Sequence, residues 1–477
     1  MAQLKNDAIT SQSVDFAQWY TDVCRKAELM DYSSVKGFIV YLPYGYSIWE
    51  GITAYCNPRF KEKGAENVYL PLVIPQSLFA REKEHVEGFA PEALIATIGG
   101  NEKLAEPLII RPTSEILFSE LYKKLVSSYR DLPKSYNQWC SVVRWEKTTR
   151  PFLRGSEFLW QEGHSLFETK EQAHQNALEM LDVYDSIGRD LLAIPFVKGK
   201  KTEKEKFAGA VATYSIEALM PDGKALQAGT THDLGTGFAK AADIKFLGRD
   251  QKLETPYQTS WGVSTRLIGA LIMAHGDDNG LVLPPRIAPI QTILIPIRMD
   301  KEPRVLDAAK DIEKKLLALG VRVKLDDSDR SPGWKFAQWE MKGVPLRIEV
   351  GPRDLDNGVV ALTKRYNGEK SVLPIADLEK LPQLLEDIQE EMYQKAYRYL
   401  QEHITEVHSW DELKATLDKG GYAKMMWHED PELEAKVKEV TNGGTARCMP
   451  FDEKPFGDVC PLDGKKADTV IYFAKAY

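Results

Sequence analysis

The sequence predicts a mixed α/β protein that folds into several domains. The chain has 477 residues, and because domains usually contain about 100–200 residues, about three domains are expected. Hydrophobic residues make up 43% of the chain and charged residues 28%, a composition that supports large buried cores and excludes a disordered or collagen-like protein. Strand-like apolar runs alternate with segments of helical periodicity, which indicates sheets covered by helices.

Charge and cysteine content restrict the class of protein further. Lys and Arg number 62 and Asp and Glu 70, so the formal net charge is −8, which argues against a general DNA-binding protein. Residues 298–370 carry a small local excess of basic residues, which leaves contact with a nucleic acid open there. Five scattered cysteines do not suggest a disulfide framework. No apolar run approaches the roughly 20 residues that cross a bilayer, and no export signal is visible, so we expect a cytoplasmic protein without membrane contact.

The first 286 residues are expected to form one domain. Apolar spacing predicts a helix over 14–36, a strand over 37–43, an amphipathic segment over 47–63 and a strand over 68–74. Mixed α and β structure continues to the proline-rich stretch 284–289, which interrupts regular structure and predicts a domain joint.

After this joint, strands and helices alternate in the manner of a compact α/β unit of roughly 100 residues. A charged helix over about 381–406 then leads to the last segment. We expect the domains to cover residues 1–286, 287–390 and 391–477. The elements predicted in the α/β unit are strands over 291–296, 321–325, 345–350 and 359–363 and helices over 302–319 and 334–341.

Common nucleotide-binding signatures are absent from the sequence. It contains no Gly-x-x-x-x-Gly-Lys-Ser/Thr phosphate loop, no Gly-x-Gly-x-x-Gly fingerprint and no His-x-Gly-His signature. A nucleotide would therefore have to be bound by another architecture.

Two strand-like segments joined by a basic loop carry charged side chains. Residues 142–146 alternate in the manner of a strand, which would place Arg144 and Glu146 on one face. Arg154 follows in the loop, and residues 158–164 form a second predicted strand. The pattern fits a nucleotide site and an exposed charged hairpin about equally well, because charged residues are seldom buried without partners.

A further segment favours the nucleotide site. Residues 260–266 are mostly small and end in Arg266, at the start of the apolar helix 267–274, and small residues let a backbone approach a ligand closely. Taken alone, this segment is also explained by a helix cap and an arginine that reaches solvent. Residues 60–75 form a predicted helix followed by a strand that ends in proline.

In chain order, the segments at 60–75, 142–164 and 260–274 resemble motifs 1, 2 and 3 of the class II aminoacyl-tRNA synthetases. The resemblance implies an antiparallel-sheet catalytic core with helices, an α/β anticodon-binding domain and a small α+β C-terminal domain. The chain is similar in particular to prolyl-tRNA synthetases of the archaeal and eukaryotic type, because the interval from His164 to Trp261 is too short for a large editing insertion. The segments that carry this similarity are 111–115, 137–139, 152–154, 158–164, 201–210 and 342–347.

The resemblance implies an enzyme that ligates L-proline to tRNA(Pro) through prolyl-adenylate, with release of AMP and pyrophosphate. ATP would be bound with Mg²⁺, motif 1 would form a homodimer interface, and Arg144 and Arg266 would be catalytic. The proline-binding residues that it implies are Phe89, Glu92, Thr113, Glu115, Arg144, Phe158, Trp160, Glu162, His232 and Ser264. The ATP-binding residues that it implies are Arg144, Glu146, Arg154, Phe158, Gln227, Thr230 and Arg266.

The resemblance also implies roles for the two later domains. Relatives often hold a zinc ion through four cysteines in the last domain, but only Cys448 and Cys460 match here, with His428 and Asp463 nearby. A metal-free domain is therefore expected over a mixed zinc site, and the terminal Tyr477 is expected to pack toward the active site. Guanine in the anticodon is commonly read by Arg or Lys, although exposed solubility charges explain the same residues equally well. The candidate anticodon contacts are Glu340, Lys342, Arg347, Arg353 and Asp354.

Two other interpretations stay open on the sequence. A non-catalytic relative that senses tRNA or an amino acid would keep the fold, but such proteins usually lose the ATP-binding arginines, and Arg144, Arg154 and Arg266 are present. A synthetase for threonine, glycine or histidine would share the architecture, but the cysteine and histidine cluster of the threonine enzyme has no match in the catalytic region. Because a small apolar slot rejects near-isosteres poorly, some activation of cysteine or alanine is also expected.

Overall fold

The protein is built around one continuous β-sheet that joins its first and last parts. A computed structural model describes residues 9–81 and 93–477. The largest sheet among these residues has eleven strands, and smaller sheets of five, three, two and two strands lie beside it. In this described part, every helix is too short or too polar to cross a membrane. The mixed α/β arrangement agrees with the predicted fold class.

The first part of the chain forms helices, a hairpin and a three-stranded sheet. The predicted helix over 14–36 is wrong in length, because the helix ends at Lys26. Glu28 has a φ of 58°, and the N–H of Leu29 donates to the carbonyl oxygen of Cys24 at 3.0 Å, which closes the last turn. The elements are α1 (Phe16–Lys26), β1 (Met30–Tyr32), β2 (Ile39–Tyr41), α2 (Pro43–Glu62), β3 (Glu66–Asn67), β4 (Val73–Pro75), α3 (Gln76–Arg81), β5 (Leu94–Gly99) and β6 (Glu102–Ile110).

Most of the predicted strand over 68–74 lies outside the strands of the structure, although the N–H of Val68 donates to the carbonyl oxygen of Asn137 at 2.8 Å. Pro71 has no N–H to give to a ladder, and the carbonyl oxygen of Leu70 accepts a hydrogen bond from Arg111 Nη1 at 2.7 Å instead. The strand prediction is therefore confirmed only at its end, where β4 pairs with β6.

The second part of the chain forms the centre of the main sheet. Its elements are α4 (Glu115–Leu125), β7 (Lys134–Val143), β8 (Glu157–Phe167), α5 (Lys170–Ser186), β9 (Val197–Lys200), β10 (Ala212–Leu219), β11 (Ala225–Gly235), α6 (Gly237–Ala241), β12 (Phe246–Leu247), β13 (Leu253–Glu254), β14 (Tyr257–Ser264) and α7 (Arg266–His275). Strands β9, β10, β11, β14, β8 and β7 are neighbours in that order and pair antiparallel. Phe60, Tyr184 and Trp261 pack ring against ring within the core of this domain.

Strand β7 ends earlier than predicted. Val143 forms the last pair with β8, opposite Glu157, so Arg144 and Glu146 lie in the connecting loop and not on a common strand face. The predicted strand over 158–164 and the helix after Arg266 are confirmed by β8 and α7.

The α/β unit after the joint has a five-stranded sheet. Its elements are β15 (Thr292–Pro296), α8 (Pro303–Ala318), β16 (Val323–Leu325), α9 (Pro332–Met341), β17 (Leu346–Val350), α10 (Pro352–Asp356), β18 (Val359–Lys364), β19 (Lys370–Pro374) and α11 (Leu381–Glu402). The central β15 is parallel to β16 and β17, whereas β18 and β19 continue antiparallel. Helix α8 ends before Gly320, whose φ of 78° suits glycine. The alternation of strands and helices predicted here is confirmed.

The last part of the chain extends the main sheet. Its elements are β20 (Ile404–Glu406), α12 (Trp410–Lys419), β21 (Tyr422–Trp427), α13 (Pro431–Val440), β22 (Thr445–Pro450) and β23 (Thr469–Ala474). Strand β22 pairs with β9, which makes the C-terminal strands continuous with the central strands of the main sheet. The charged helix predicted over 381–406 ends at Glu402 and crosses the expected domain boundary at residue 390.

Candidate active site

A cavity of about 290 Å³ opens on one face of the central strands and gathers most of the predicted site residues. Strands β8, β11 and β14 form its floor, and the start of α4 and the residues around Arg144 form its rim. The predicted residues that line it are Thr113, Glu115, Arg144, Phe158, Trp160, Gln227, Thr230, His232, Ser264 and Arg266.

The strand register explains why these residues meet. Gly262 lies opposite Thr230 on one side and Glu162 on the other, and Ser264 lies opposite Trp160. Opposite side chains share a face of the sheet. Gly262 lines the cavity and has no side chain to fill it, so the small residues that the sequence showed before Arg266 keep the floor open.

Arg144 is held at the rim by contacts on two sides. Its Nε donates to the carbonyl oxygen of Pro112 at 3.1 Å. Its guanidinium carbon lies 5.3 Å from the ring centroid of Phe158 and 5.3 Å from that of Trp160, within the range of cation–π attraction. The guanidinium is therefore oriented by the protein itself.

Arg266 lies at the start of α7 and is fixed by carbonyl groups. Its Nε donates to the carbonyl oxygen of Leu153 at 3.1 Å and its Nη1 to that of Gln227 at 3.3 Å. Burial, and then the positive charges of Arg144 and Arg154, lower the pKa of Arg266 to about 10. The pKa change indicates that three arginines converge on one region, where a multiply charged anion would be stabilised.

One end of the cavity, beside Arg144, carries the start of α4. Thr113 is buried, and its hydroxyl donates to the carboxylate of Glu115, which begins the helix. The rings of Phe158 and Trp160 lie edge to face with centroids 5.9 Å apart. This end combines a carboxylate with an apolar wall, a combination that suits a small cation with an apolar body.

Glu162 lies behind this end and does not line the cavity. Its carboxylate accepts hydrogen bonds from the N–H of Ser114 at 3.2 Å and from Gln138 Nε2 at 3.0 Å. Although burial opposes ionisation, the contact with His164 holds the pKa of Glu162 below its ordinary value. Glu162 therefore supports the start of α4 from below.

His232 is a neutral side chain in the cavity wall. Its Nδ1 lies 2.9 Å from Thr213 Oγ1 and its Nε2 lies 3.2 Å from Thr230 Oγ1, and its ring packs on Phe207 with centroids 4.8 Å apart. Burial, followed by the influence of His164, lowers the pKa of His232 to about 3. The imidazole is thus an uncharged hydrogen-bonding group at neutral pH.

Several predicted residues lie outside this cavity. Arg154 lines an adjoining cavity of about 260 Å³, which shares Arg266 with the first cavity. The terminal Tyr477 also lines this second cavity, so it packs beside the candidate site. Glu146 lies near enough for its charge to affect Arg266 but is not among the lining residues. Phe89 and Glu92 lie outside the described residues.

Glu205, Phe207 and Thr213 are among the lining residues that the sequence did not assign to the site. Glu205 and Phe207 belong to the loop 201–210, and Thr213 follows on β10. The loop is folded by local hydrogen bonds, from the N–H of Glu205 to Thr202 Oγ1 at 3.2 Å and from the N–H of Phe207 to Thr213 Oγ1 at 2.9 Å. In the sequence, segment 201–210 stands out only through its resemblance to the family, because no periodic pattern marks a loop side chain as part of a site.

The anticodon candidates differ in their surroundings. Lys342 forms an ion pair with Glu28 of the first domain at 2.6 Å. Arg347 Nε donates to Glu349 Oε1 at 3.0 Å. Arg353 and Asp354 both lie on the short helix α10. The backbone carbonyl oxygen of Glu340, on α9, accepts a hydrogen bond from Arg365 Nε at 2.8 Å. These five candidates are therefore spread over several elements.

The C-terminal residues do not fit a closed structural zinc site. Within the described ranges, His428, Cys460 and Asp463 hold ligand atoms within 4.8 Å of one another, but Cys448 lies buried on β22 and is not part of this group. Such a site normally has four nitrogen or sulfur ligands. Here His428 Nε2 and Asp463 Oδ2 already form a hydrogen bond at 3.0 Å.

Comparison with known proteins defines the family. Residues 99–275 match the profile "tRNA synthetase class II core domain (G, H, P, S and T)", residues 291–383 match "Anticodon binding domain", and residues 410–477 match "Prolyl-tRNA synthetase, C-terminal". The chain is 54% identical over 473 residues to proline--tRNA ligase of Lachnospira eligens and 53% identical over 473 residues to that of Clostridium novyi. Each match covers 99% of this chain and 98% of the relative.

A solved structure agrees with these relatives. The crystal structure of prolyl-tRNA synthetase from Cryptosporidium parvum, complexed with halofuginone and AMPPNP, matches with a TM-score of 0.95 and 40% identity, over 98% of this chain and 99% of that chain. The chain therefore belongs to the proline–tRNA ligase family and is a class II synthetase that ligates proline to tRNA.

Proposed function

We propose that the cavity described above is where proline is activated, with ATP beside Arg144 and Arg266 and proline beside the start of α4. The observation that carries this proposal is that Arg144 and Arg266 line one cavity together with the Glu115 carboxylate. The two guanidinium groups suit a triphosphate. The carboxylate suits the secondary ammonium of proline.

The proposed reaction consists of an in-line displacement at phosphorus followed by an acyl transfer. The proline carboxylate attacks the α-phosphorus of ATP and releases pyrophosphate. The terminal ribose hydroxyl of the tRNA then attacks the prolyl carbonyl, loses its proton and releases AMP. Phosphoryl-group chemistry of this kind depends mainly on positioning and charge neutralisation. Arg144 and Arg266 would supply both, ATP would arrive as its Mg²⁺ complex, and no general base is assigned.

The remaining residues of the cavity would hold the substrates in place. Thr113 and Glu115 would meet the proline ammonium, and Phe158 and Trp160 would contact its apolar ring. Gln227 and Thr230 would contact ATP, with Glu146 and Arg154 at the edge of the nucleotide. Ser264 and the neutral His232 would complete the proline slot, and Glu162 would act on it through Ser114.

Pyrophosphate exchange with each amino acid in turn tests this proposal. We expect exchange with proline to exceed that with every other amino acid, and Glu115→Gln to raise the KM for proline far more than the KM for ATP, because the lost charge faces the ammonium. A threonine-, glycine- or histidine-dependent exchange, or no exchange at all, would contradict the proposal and favour another synthetase or a non-catalytic relative.

We also propose that the protein is of the archaeal and eukaryotic type, without an editing insertion. The interval between β8 and β14 supports this, because it is filled by α5, by strands β9–β13 and by a short helix that belong to the catalytic sheet and its cover. If so, the purified protein lacks a site that clears misactivated cysteine or alanine. Hydrolysis of alanyl-tRNA(Pro) by the purified protein would argue against this type.

A homodimer through motif 1 is a further proposal. Exposed apolar side chains cluster on the motif 1 segment and the neighbouring three-stranded sheet, with Tyr69 71%, Leu72 43%, Ile95 44% and Ile98 66% exposed. Large exposed apolar patches usually mark interaction sites. Sedimentation should give a dimer for the wild type and a monomer for Ile98→Asp, with Val459→Asp, an exposed residue of the last domain, as the control.

We also propose that domains end at residues 286 and 390 and that the protein is cytoplasmic. We propose in addition that residues of the α/β unit contact the anticodon. Among the anticodon candidates, Arg353 and Asp354 have the best support, because both lie on the exposed short helix α10, whereas Lys342 is engaged with Glu28. Arg353→Ala should raise the KM for tRNA in aminoacylation and leave pyrophosphate exchange unchanged. An equal effect on both assays would exclude a specific tRNA contact.

A further inference from the structure

A buried charge cluster joins the C-terminal domain to the catalytic sheet. Lys201 Nζ lies 2.7 Å from Glu217 Oε1, and Arg447 donates to Glu217 Oε2 from Nη2 at 2.8 Å and from Nε at 3.1 Å. Ser215 Oγ donates to Glu217 Oε1 at 3.1 Å. The side chains of Lys201, Glu217 and Arg447, here called the buried triad, are only 3%, 0% and 9% exposed.

The buried triad connects two parts of the chain that are far apart in the sequence. Lys201 and Glu217 belong to the catalytic core, whereas Arg447 lies on β22, which pairs with β9. Lys201 Nζ also donates to the carbonyl oxygen of Arg447 at 2.5 Å. A Cβ at Gly199 would lie 2.4 Å from the carbonyl oxygen of Met449, so the close approach of the two strands needs glycine there.

Glu217 is also a neighbour of the nucleotide end of the cavity. It lies opposite Gln227 in the register of β10 and β11, and Gln227 lines the cavity. The carbonyl oxygen of Gln227 accepts the hydrogen bond from Arg266 Nη1 at 3.3 Å. Burial, and then the charges of Arg144 and Arg154, lower the pKa of Arg266 to about 10. The negative charge of Glu217 acts in the opposite direction and favours the protonated guanidinium.

We propose that Arg447 is a positioning residue of the ATP site. Together with Lys201 it holds the Glu217 carboxylate in one orientation, which fixes the strand position of Gln227 and through it the guanidinium of Arg266. A carboxylate with donors on both oxygens has one preferred orientation, whereas removal of Arg447 would leave Oε2 buried without a donor. The proposal rests on the proposed ATP roles of Gln227 and Arg266, and it extends the nucleotide site to a domain that does not line the cavity.

Pyrophosphate exchange by full-length variants tests this role, with the KM for ATP and the KM for proline measured separately. Arg447→Met removes the charge at similar length, and we expect the KM for ATP to rise about tenfold, the size of one lost charge-assisted hydrogen bond, with the KM for proline unchanged. Arg447→Lys restores the charge with fewer donors and should recover part of the loss. Arg249→Met, at an exposed arginine paired with Glu168, is the matched control.

A second variant separates positioning from stability. Arg447→Met leaves Glu217 Oε2 buried without its donor and weakens the fold. The triple variant Lys201→Met/Glu217→Gln/Arg447→Met removes all three buried charges and should melt near the wild-type temperature. A raised KM for ATP in this triple variant supports the proposal. An unchanged KM for ATP in either variant overturns it and leaves the triad an ordinary structural ion pair. If Arg266→Lys exchanges like the wild type, the ATP role of Arg266 fails instead, whatever Arg447 does.

Discussion

Replacement of Arg144 by alanine should abolish most proline activation without unfolding the protein. The guanidinium is oriented before ATP arrives, by the carbonyl oxygen of Pro112 at 3.1 Å and by the rings of Phe158 and Trp160, each 5.3 Å from the guanidinium carbon. A preorganised donor of this kind is worth about 3 kcal/mol in the transition state, which corresponds to a loss of about 100-fold in kcat/KM. The lost hydrogen bond to Pro112 should cost the fold only about 1 kcal/mol.

The comparison of alanine with lysine at position 144 distinguishes charge from geometry. Lysine keeps the positive charge but cannot offer two parallel donors to a phosphate, so Arg144→Lys should fall between the wild type and Arg144→Ala. The assay is pyrophosphate exchange at saturating proline with varied ATP, and chemical unfolding checks the fold. Arg249→Ala, remote and exposed, controls for the loss of one surface charge. Near-wild-type exchange by a folded Arg144→Ala would refute the reasoning.

Amino acid specificity, metal content and the pH dependence of stability provide three further tests. Cysteine or alanine should support measurable exchange, because one methylene is worth only about 1–3 kcal/mol; exchange at the background level would contradict this. Zinc analysis should find no bound ion, and a chelator should leave the melting temperature unchanged, because His428, Cys460 and Asp463 do not complete a four-ligand site; one zinc per chain would refute this. Burial lowers the pKa of His232 to about 3 and that of His275 to about 4. Below pH 6.5 the unfolded chain therefore binds protons that the folded chain does not, and each histidine should lower the free energy of unfolding by up to about 2 kcal/mol at pH 5. Urea titrations should show a smaller loss of stability between pH 7 and pH 5 for His275→Gln than for the wild type. An equal loss in both proteins would contradict the assignment.

The arginines of the site could be recognised in the sequence, but the local structure around Arg144 could not. Strand alternation predicted that Arg144 and Glu146 share a strand face, whereas the ladder with β8 ends at Val143. Alternation reports which residues are suited to a strand, but the end of pairing depends on the partner strand. Here the N–H of Arg144 bonds to the carbonyl oxygen of Ser156 at 2.8 Å, and the chain then turns away.

The end of a helix was equally hard to predict where the glycine that usually marks it is absent. Helix α1 ends at a positive φ that glycine normally adopts, but glutamate occupies the position as Glu28. The loop that brings Glu205 into the cavity is closed by hydrogen bonds to Thr202 and Thr213, and neither residue forms a pattern with it. By contrast, the apolar helix α7 and the alternating strand β8 were predicted correctly, since their signals lie within a continuous segment.

The electrostatics of the candidate site explain why so much of the fold is arranged around a few guanidinium groups. The positive charges of Arg144 and Arg154 disfavour that of Arg266. These side chains would therefore move apart if no other contacts held them. Carbonyl oxygens of Leu153 and Gln227 hold Arg266, and the carboxylate of Glu217 lies on the neighbouring strand. These contacts oppose the repulsion, and at the proposed ATP site a bound triphosphate would relieve it. MgATP should consequently raise the melting temperature of the wild type more than that of Arg144→Ala, because the variant has less repulsion to relieve and one donor fewer for the nucleotide.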